Sequence, residues 1–194
     1  MSKVYVWDLP LRIFHWALVF CVLGSIITGS LGGNSFVWHF RFGYVVIGLL
    51  AFRIVWGFVG TQHSKFSSFP PSPARAIAYL KGEPATDAST GQKSSTHLGH
   101  NPLGAFSVYA ILLALIFQVS TGLFANDAIM WDGPLRNYVS NDTSDLLTTL
   151  HKINRIILFI LIALHLGAMA FYTWVKKERL VGAMVSGYKD KTEG

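Results

Sequence analysis

Four stretches of this chain, at about 11–30, 37–59, 104–124 and 149–175, are each apolar over a long run. As a helix, each is long enough to cross the roughly 30 Å of hydrocarbon in a bilayer. Lipid offers no water to the backbone, so each stretch has to close its own hydrogen bonds as a helix. The expected fold class is therefore all-α, an integral membrane four-helix bundle. Composition agrees: of 194 residues, 52% are hydrophobic and 13% charged, too little charge to coat a water-facing surface. The first stretch is longer than a signal-peptide core and is read as a retained span. No internal repeat marks off a second domain, so residues 1–194 are read as one membrane domain.

The net charge of +6 is a topology signal, and no nucleic-acid partner is expected from it. Lys3 and Arg12 precede or enter the first span. Lys65, Arg75, Lys81 and Lys93 lie in the connection 60–103, and Lys176, Lys177, Arg179, Lys189 and Lys191 follow the fourth span. The first connection, "SLGGNSF", has no charge, and the third, 125–148, sets Asp127, Asp132, Asp142 and Asp145 against Arg136. Positive residues favour the cytoplasmic side, which predicts an N-in/C-in chain with a cytoplasmic loop 60–103 and an outer loop 125–148. Within the inner loop "PARAIAYL" is predicted to form a short helix on the membrane surface, with Ala76, Ile77 and Leu80 on one face. Residues 84–96 read as linker, and the tail after Arg179 as interfacial. Cys21 is the single cysteine and there is no CxxCH, so neither an intrachain disulfide nor covalent c-type haem is available.

Of seven histidines, His63, His97 and His100 fall in the inner loop, where water satisfies them. The other four are in the spans. The topology puts His39 and His151 near the outer face and His15 and His165 nearer the inner one. His151 and His165 are fourteen residues apart, about 1400° of helix and a rise of about 21 Å, so one helix presents both rings from nearly one face. A lone histidine at a span end is ordinarily hydrogen-bonded or interfacial. Four that pair by depth are read instead as the axial ligands of two stacked haems, each iron held between two imidazoles on facing helices. Zinc fits less well, because no third ligand accompanies either pair.

The motifs "VWDLPLRIFHW", "TG" at 28–29, "HFRFGY" at 39–44, "RIVWGFVG" at 53–60, "GHNPLGA" at 99–105 and "HKINRIILFILIALHLGA" at 151–168 occur in one order. In that order the chain resembles the bacterial cytochrome b561 family, which includes the b-type cytochrome subunit of nickel–iron hydrogenases. The resemblance runs from about residue 4 to 180. It implies a di-haem membrane cytochrome b with two non-covalent b haems, carrying electrons in a respiratory chain of the bacterial inner membrane. It implies His15, His39, His151 and His165 as ligands, the set the depth argument selects. It also implies exchange of electrons with a quinone pool and with an outer redox partner, such as a periplasmic c-type cytochrome or a hydrogenase or dehydrogenase subunit.

Basic residues close to these histidines are candidates for haem propionates. Arg155 lies one turn after His151 on the same face, where an unpaired charge needs an anion. Arg41 and Lys152 adjoin the outer ligands, and Lys152 is read equally as a snorkelling residue. Arg12, one turn before His15, meets a propionate, a lipid phosphate, or the interface as an anchor. His100 and Asn101 match the "GHNP" element and are candidates for quinone or partner contact as well as for a helix start. Two other readings stay open. One is a superoxide oxidase that passes electrons from superoxide to ubiquinone, which the resemblance also implies; the other is a non-redox membrane transport or interaction protein with a histidine relay. Whether the chain is itself an oxidoreductase or only an electron carrier is left open by the residues.

Overall fold

The structure, a computed structural model, describes residues 3–81, 99 and 102–190. Four of its helices are long and apolar enough to cross a membrane: α1 (Leu9–Leu31), α2 (Phe36–Val59), α4 (Pro102–Gly122) and α5 (Asn141–Trp174). Two short helices, α3 (Pro73–Leu80) and α6 (Leu180–Ser186), complete the α-helices among the described residues. Apolar side chains around these helices remain exposed, among them Phe20, Ile27, Phe58, Leu113, Ile160 and Leu166. A helix that is apolar all round without being buried in protein is suited to lipid.

Local chemistry sets where the helices begin and turn. Asp8 accepts the Leu11 amide at 2.8 Å and so caps α1, with Pro10 just inside the helix. The uncharged connection to α2 turns at Gly32 and Gly33, whose φ values of 71° and 53° are ones that side chains rarely tolerate. Ser72 caps α3 by accepting the Arg75 amide, and the helix covers the predicted "PARAIAYL". Its Ala76 is buried and its Ile77 exposed. α5 starts at Asn141, ahead of the apolar run that begins near 149. The cap is Ser140, whose Oγ accepts the Thr143 amide at 3.2 Å. The polar residues "SNDTS", of a kind that suits turns equally well, thus act as a helix start, since the same side chains serve both purposes.

The fold is mostly helical, with one addition. β1 (Lys3–Tyr5) and β2 (Tyr188–Asp190) pair antiparallel, with Val4 opposite Lys189. Backbone at the two ends of the chain lies outside any helix and must find partners elsewhere. Gly187, at φ 89°, closes α6, and its carbonyl accepts the Val6 and Trp7 amides. The two chain ends therefore meet.

The chain divides into two compact units. The first gathers Met1–Trp16, Ala51–Ala110 and Leu164–Gly194; the second gathers Ala17–Leu50 and Ile111–Ala163. The second has a core of Cys21, Val46, Leu50, Ala114, Leu115 and Leu158. The first is organised around a buried carboxylate. Asp8 accepts hydrogen bonds from Trp56 Nε1 (3.1 Å), Thr61 Oγ1 (2.5 Å) and Ser64 Oγ. These donors hold the turn after α2 against the start of α1.

Candidate functional site

Each unit contains one of the two expected histidine pairs: His39 and His151 in the second, His15 and His165 in the first. The second is the better defined. The His39 and His151 ring centres are 6.3 Å apart, with their planes at 81°. Two imidazoles bonded to one metal from opposite sides, with metal–nitrogen bonds of about 2.0 Å, have ring centres roughly 6 Å apart. His39 Nδ1 donates to the Ser25 carbonyl at 2.9 Å, and His151 Nδ1 donates to the Gln118 carbonyl at 2.9 Å. A carbonyl can only accept, so Nδ1 carries the proton in both rings and Nε2 is left with its lone pair. This is how proteins commonly orient a metal-binding histidine.

Glycines make room for both rings. A Cβ on Gly29 would stand 2.7 Å from His39 Nδ1, and one on Gly122 would stand 2.9 Å from His151 Cε1. Polar side chains surround His151 as well. Gln118 Nε2 donates to His151 Nε2 at 3.0 Å, a contact that ligation by this nitrogen has to displace. The buried Asn154 holds Gln118 in turn, donating to its Oε1 at 2.7 Å and to the Ala114 carbonyl at 2.9 Å.

In the first unit His15 and His165 are both half-buried and close enough to interact electrostatically. His15 packs edge-on to Trp16, with ring centres 5.1 Å apart. Its Nδ1 is buried with no hydrogen-bond partner. Such an atom is costly to leave without a partner. The donor set in both units is two imidazoles, and no group of three or more His, Cys, Asp or Glu occurs among the described residues. Paired imidazoles suit haem iron, which takes its other four nitrogens from the porphyrin.

The basic candidates separate by burial. Arg41, Lys152 and Arg155 are exposed. Arg41 lies over the Trp38 ring at 4.7 Å, whereas Lys152 and Arg155 act electrostatically on His151. Arg12 is half-buried, donates through Nη1 to the Val185 carbonyl at 2.5 Å, and has a buried Nε with no partner. His97, His100, Asn101 and the linker 84–96 lie outside the described residues. The most buried cation among the described residues is one that the sequence did not single out: Arg53, 2% exposed. It belongs to the "RIVWGFVG" motif, and its place inside a span was the available signal. Gln118 and Asn154 carried the same kind of signal, being amides inside apolar helices.

A family model described as prokaryotic cytochrome b561 matches residues 6–187. Several proteins named as probable Ni/Fe-hydrogenase B-type cytochrome subunits are similar. That of Rhizobium leguminosarum bv. viciae is 24% identical, covering 99% of this chain and 92% of its own length. That of Cupriavidus necator is 26% identical over 97% and 88% respectively. The corresponding hydrogenase 1 subunit of Escherichia coli K12 is 27% identical over 61% and 58%. With all four span histidines inside the matched region, the chain belongs to the prokaryotic cytochrome b561 family, multi-pass membrane proteins of the b-type cytochrome class.

Proposed function

We propose that the protein is a di-haem electron carrier of the bacterial inner membrane, with one b haem held by His39 and His151 and another by His15 and His165. The observation that carries this reading is the His39–His151 pair: ring centres 6.3 Å apart, each Nδ1 tied to a carbonyl. A haem ligated by two imidazoles supplies a low-spin one-electron centre with no open position for oxygen. The protein's own contribution is to orient the imidazoles, to supply cations for the propionates, and to exclude water. Arg155, Lys152 and Arg41 are assigned to the outer haem and Arg12 to the inner one.

Electrons pass between a quinone pool and a redox partner on the outer side. The hydrogenase subunits among the relatives favour a hydrogenase as that partner. The outer connection, with Asp127, Asp132, Asp142 and Asp145 against Arg136, is suited to a partner with a basic face. A pyridine haemochrome assay on the purified protein tests the reading. Two haems per chain are expected, all extractable by acid acetone because no thioether attachment is possible. A ratio of one per chain rejects the two-site assignment.

A further inference from the structure

Arg53 presents a physical problem that the rest of the chain does not solve. Its side chain is 2% exposed, and Nη1 is buried without a hydrogen-bond partner. Its guanidinium carbon lies over the Phe66 ring at 4.4 Å and 6.0 Å from the centre of Phe69. Those faces attract the cation but provide no anionic oxygen. Among the described residues no carboxylate ion-pairs with it. Tyr109 and Asp8 interact with it electrostatically, but neither hydrogen-bonds it, and the Asp8 oxygens already accept from Leu11, Trp56, Thr61 and Ser64. A guanidinium always carries its charge, so burial cannot be relieved by losing a proton. Its unpartnered Nη1 is best met by an anionic acceptor.

The surroundings indicate which anion. Arg12 Nε, His15 Nδ1 and Arg53 Nη1 are all buried, all unpartnered and all in the first unit. The segment bearing Arg53 packs on the segment bearing His15: Phe52 faces Phe14 at 6.1 Å, and Trp56 reaches Asp8. On α2, Arg53 follows His39 by fourteen residues, the same interval that separates His151 from His165 on α5. Where α5 carries a second imidazole, α2 carries a guanidinium.

We propose that Arg53 binds a propionate of the haem held by His15 and His165, forming a charge-assisted hydrogen bond through its free Nη1. The inference rests on the haem assignment of that pair and adds the group that recognises its carboxylate. A lipid phosphate offers the same chemistry, and the test separates the two. Full-length protein carrying His39→Ala, which keeps only the His15/His165 site, is stripped of haem and titrated with haem or with its dimethyl ester.

The ester should bind more weakly than haem to this protein. Adding Arg53→Gln should weaken haem binding by about tenfold to a hundredfold, the worth of a hydrogen bond to a charged group. It should leave ester binding nearly unchanged, so that the gap between the two ligands narrows to what Arg12 contributes. Arg53→Lys should restore part of the difference. Equal binding of haem and ester to the protein with Arg53 intact overturns the inference, with no need for the Arg53 variants to fold. An equal loss for both ligands on Arg53→Gln also overturns it and moves the arginine to a lipid phosphate or a packing role. If the His39→Ala protein takes up no haem at all, the assignment of the histidine pair fails, and the inference goes with it.

Discussion

His39 and His151 are held by the backbone carbonyls of Ser25 and Gln118 and admitted by glycines, so the most sensitive positions are the glycines. Alanine in place of glycine inside a helix ordinarily stabilises by about 1 kcal/mol. At Gly29 and Gly122 the added Cβ meets an imidazole at 2.7 Å and 2.9 Å, and overpacking of this kind costs about 1–3 kcal/mol. Gly29→Ala and Gly122→Ala should therefore lower the melting temperature and the occupancy of the haem proposed between His39 and His151. Gly48→Ala, where nothing lies within 4 Å of the new atom, should raise stability or leave it unchanged with both haems in place. Thermal unfolding and haem content of the three variants check this, and a haem-replete, more stable Gly29→Ala protein speaks against the cradle. The histidines were legible in the sequence because ionisable residues in apolar spans are rare and carry a reason. Their partners were not, since a carbonyl such as that of Ser25 becomes a ligand-orienting group only once two helices pack together. Arg53 stood in a quoted motif, but only its burial shows that its charge is unpaired.

Among the elements, the start of α1 rests on one carboxylate. Burial by itself would push the Asp8 carboxyl up, but donors from Ser64, Thr61, the Leu11 amide and Trp56 outweigh it and hold the group below its usual range. A depressed folded-state value means that Asp8 stabilises the protein above the unfolded value of about 3.9. That contribution disappears as the pH falls through the lower folded value. Asp8→Ala removes a helix cap and strands three side-chain donors, and should cost about 2–4 kcal/mol at neutral pH. Asp8→Asn should flatten the acid limb of the stability profile, measured by thermal unfolding in detergent between about pH 3 and 7. Identical acid limbs in the two proteins would mean that the carboxylate is not what ties these segments together. The four long helices could be read from hydropathy because lipid leaves the backbone few alternatives. The start of α5 could not, because serine, aspartate and asparagine serve turns and caps equally, and only the Thr143 amide on Ser140 Oγ decides between them. The β1–β2 pairing was invisible for a related reason: three residues at each end hold no period, and they pair because the chain ends meet.

For the molecule as a whole, four helices long and apolar enough to cross a membrane agree with a multi-pass membrane protein. The family match covers residues 6–187, and the two compact units each enclose a histidine pair. The central claim is that these pairs are the ligand sets, His39 with His151 and His15 with His165, and it makes the four histidine variants fall into two classes. A potentiometric titration of His39→Ala, His151→Ala, His15→Ala and His165→Ala, followed in the Soret and α bands, reads this directly. His39→Ala and His151→Ala should lose the same redox component and keep the other, while His15→Ala and His165→Ala should do the reverse. Loss of one component from both His39→Ala and His165→Ala would contradict the pairing.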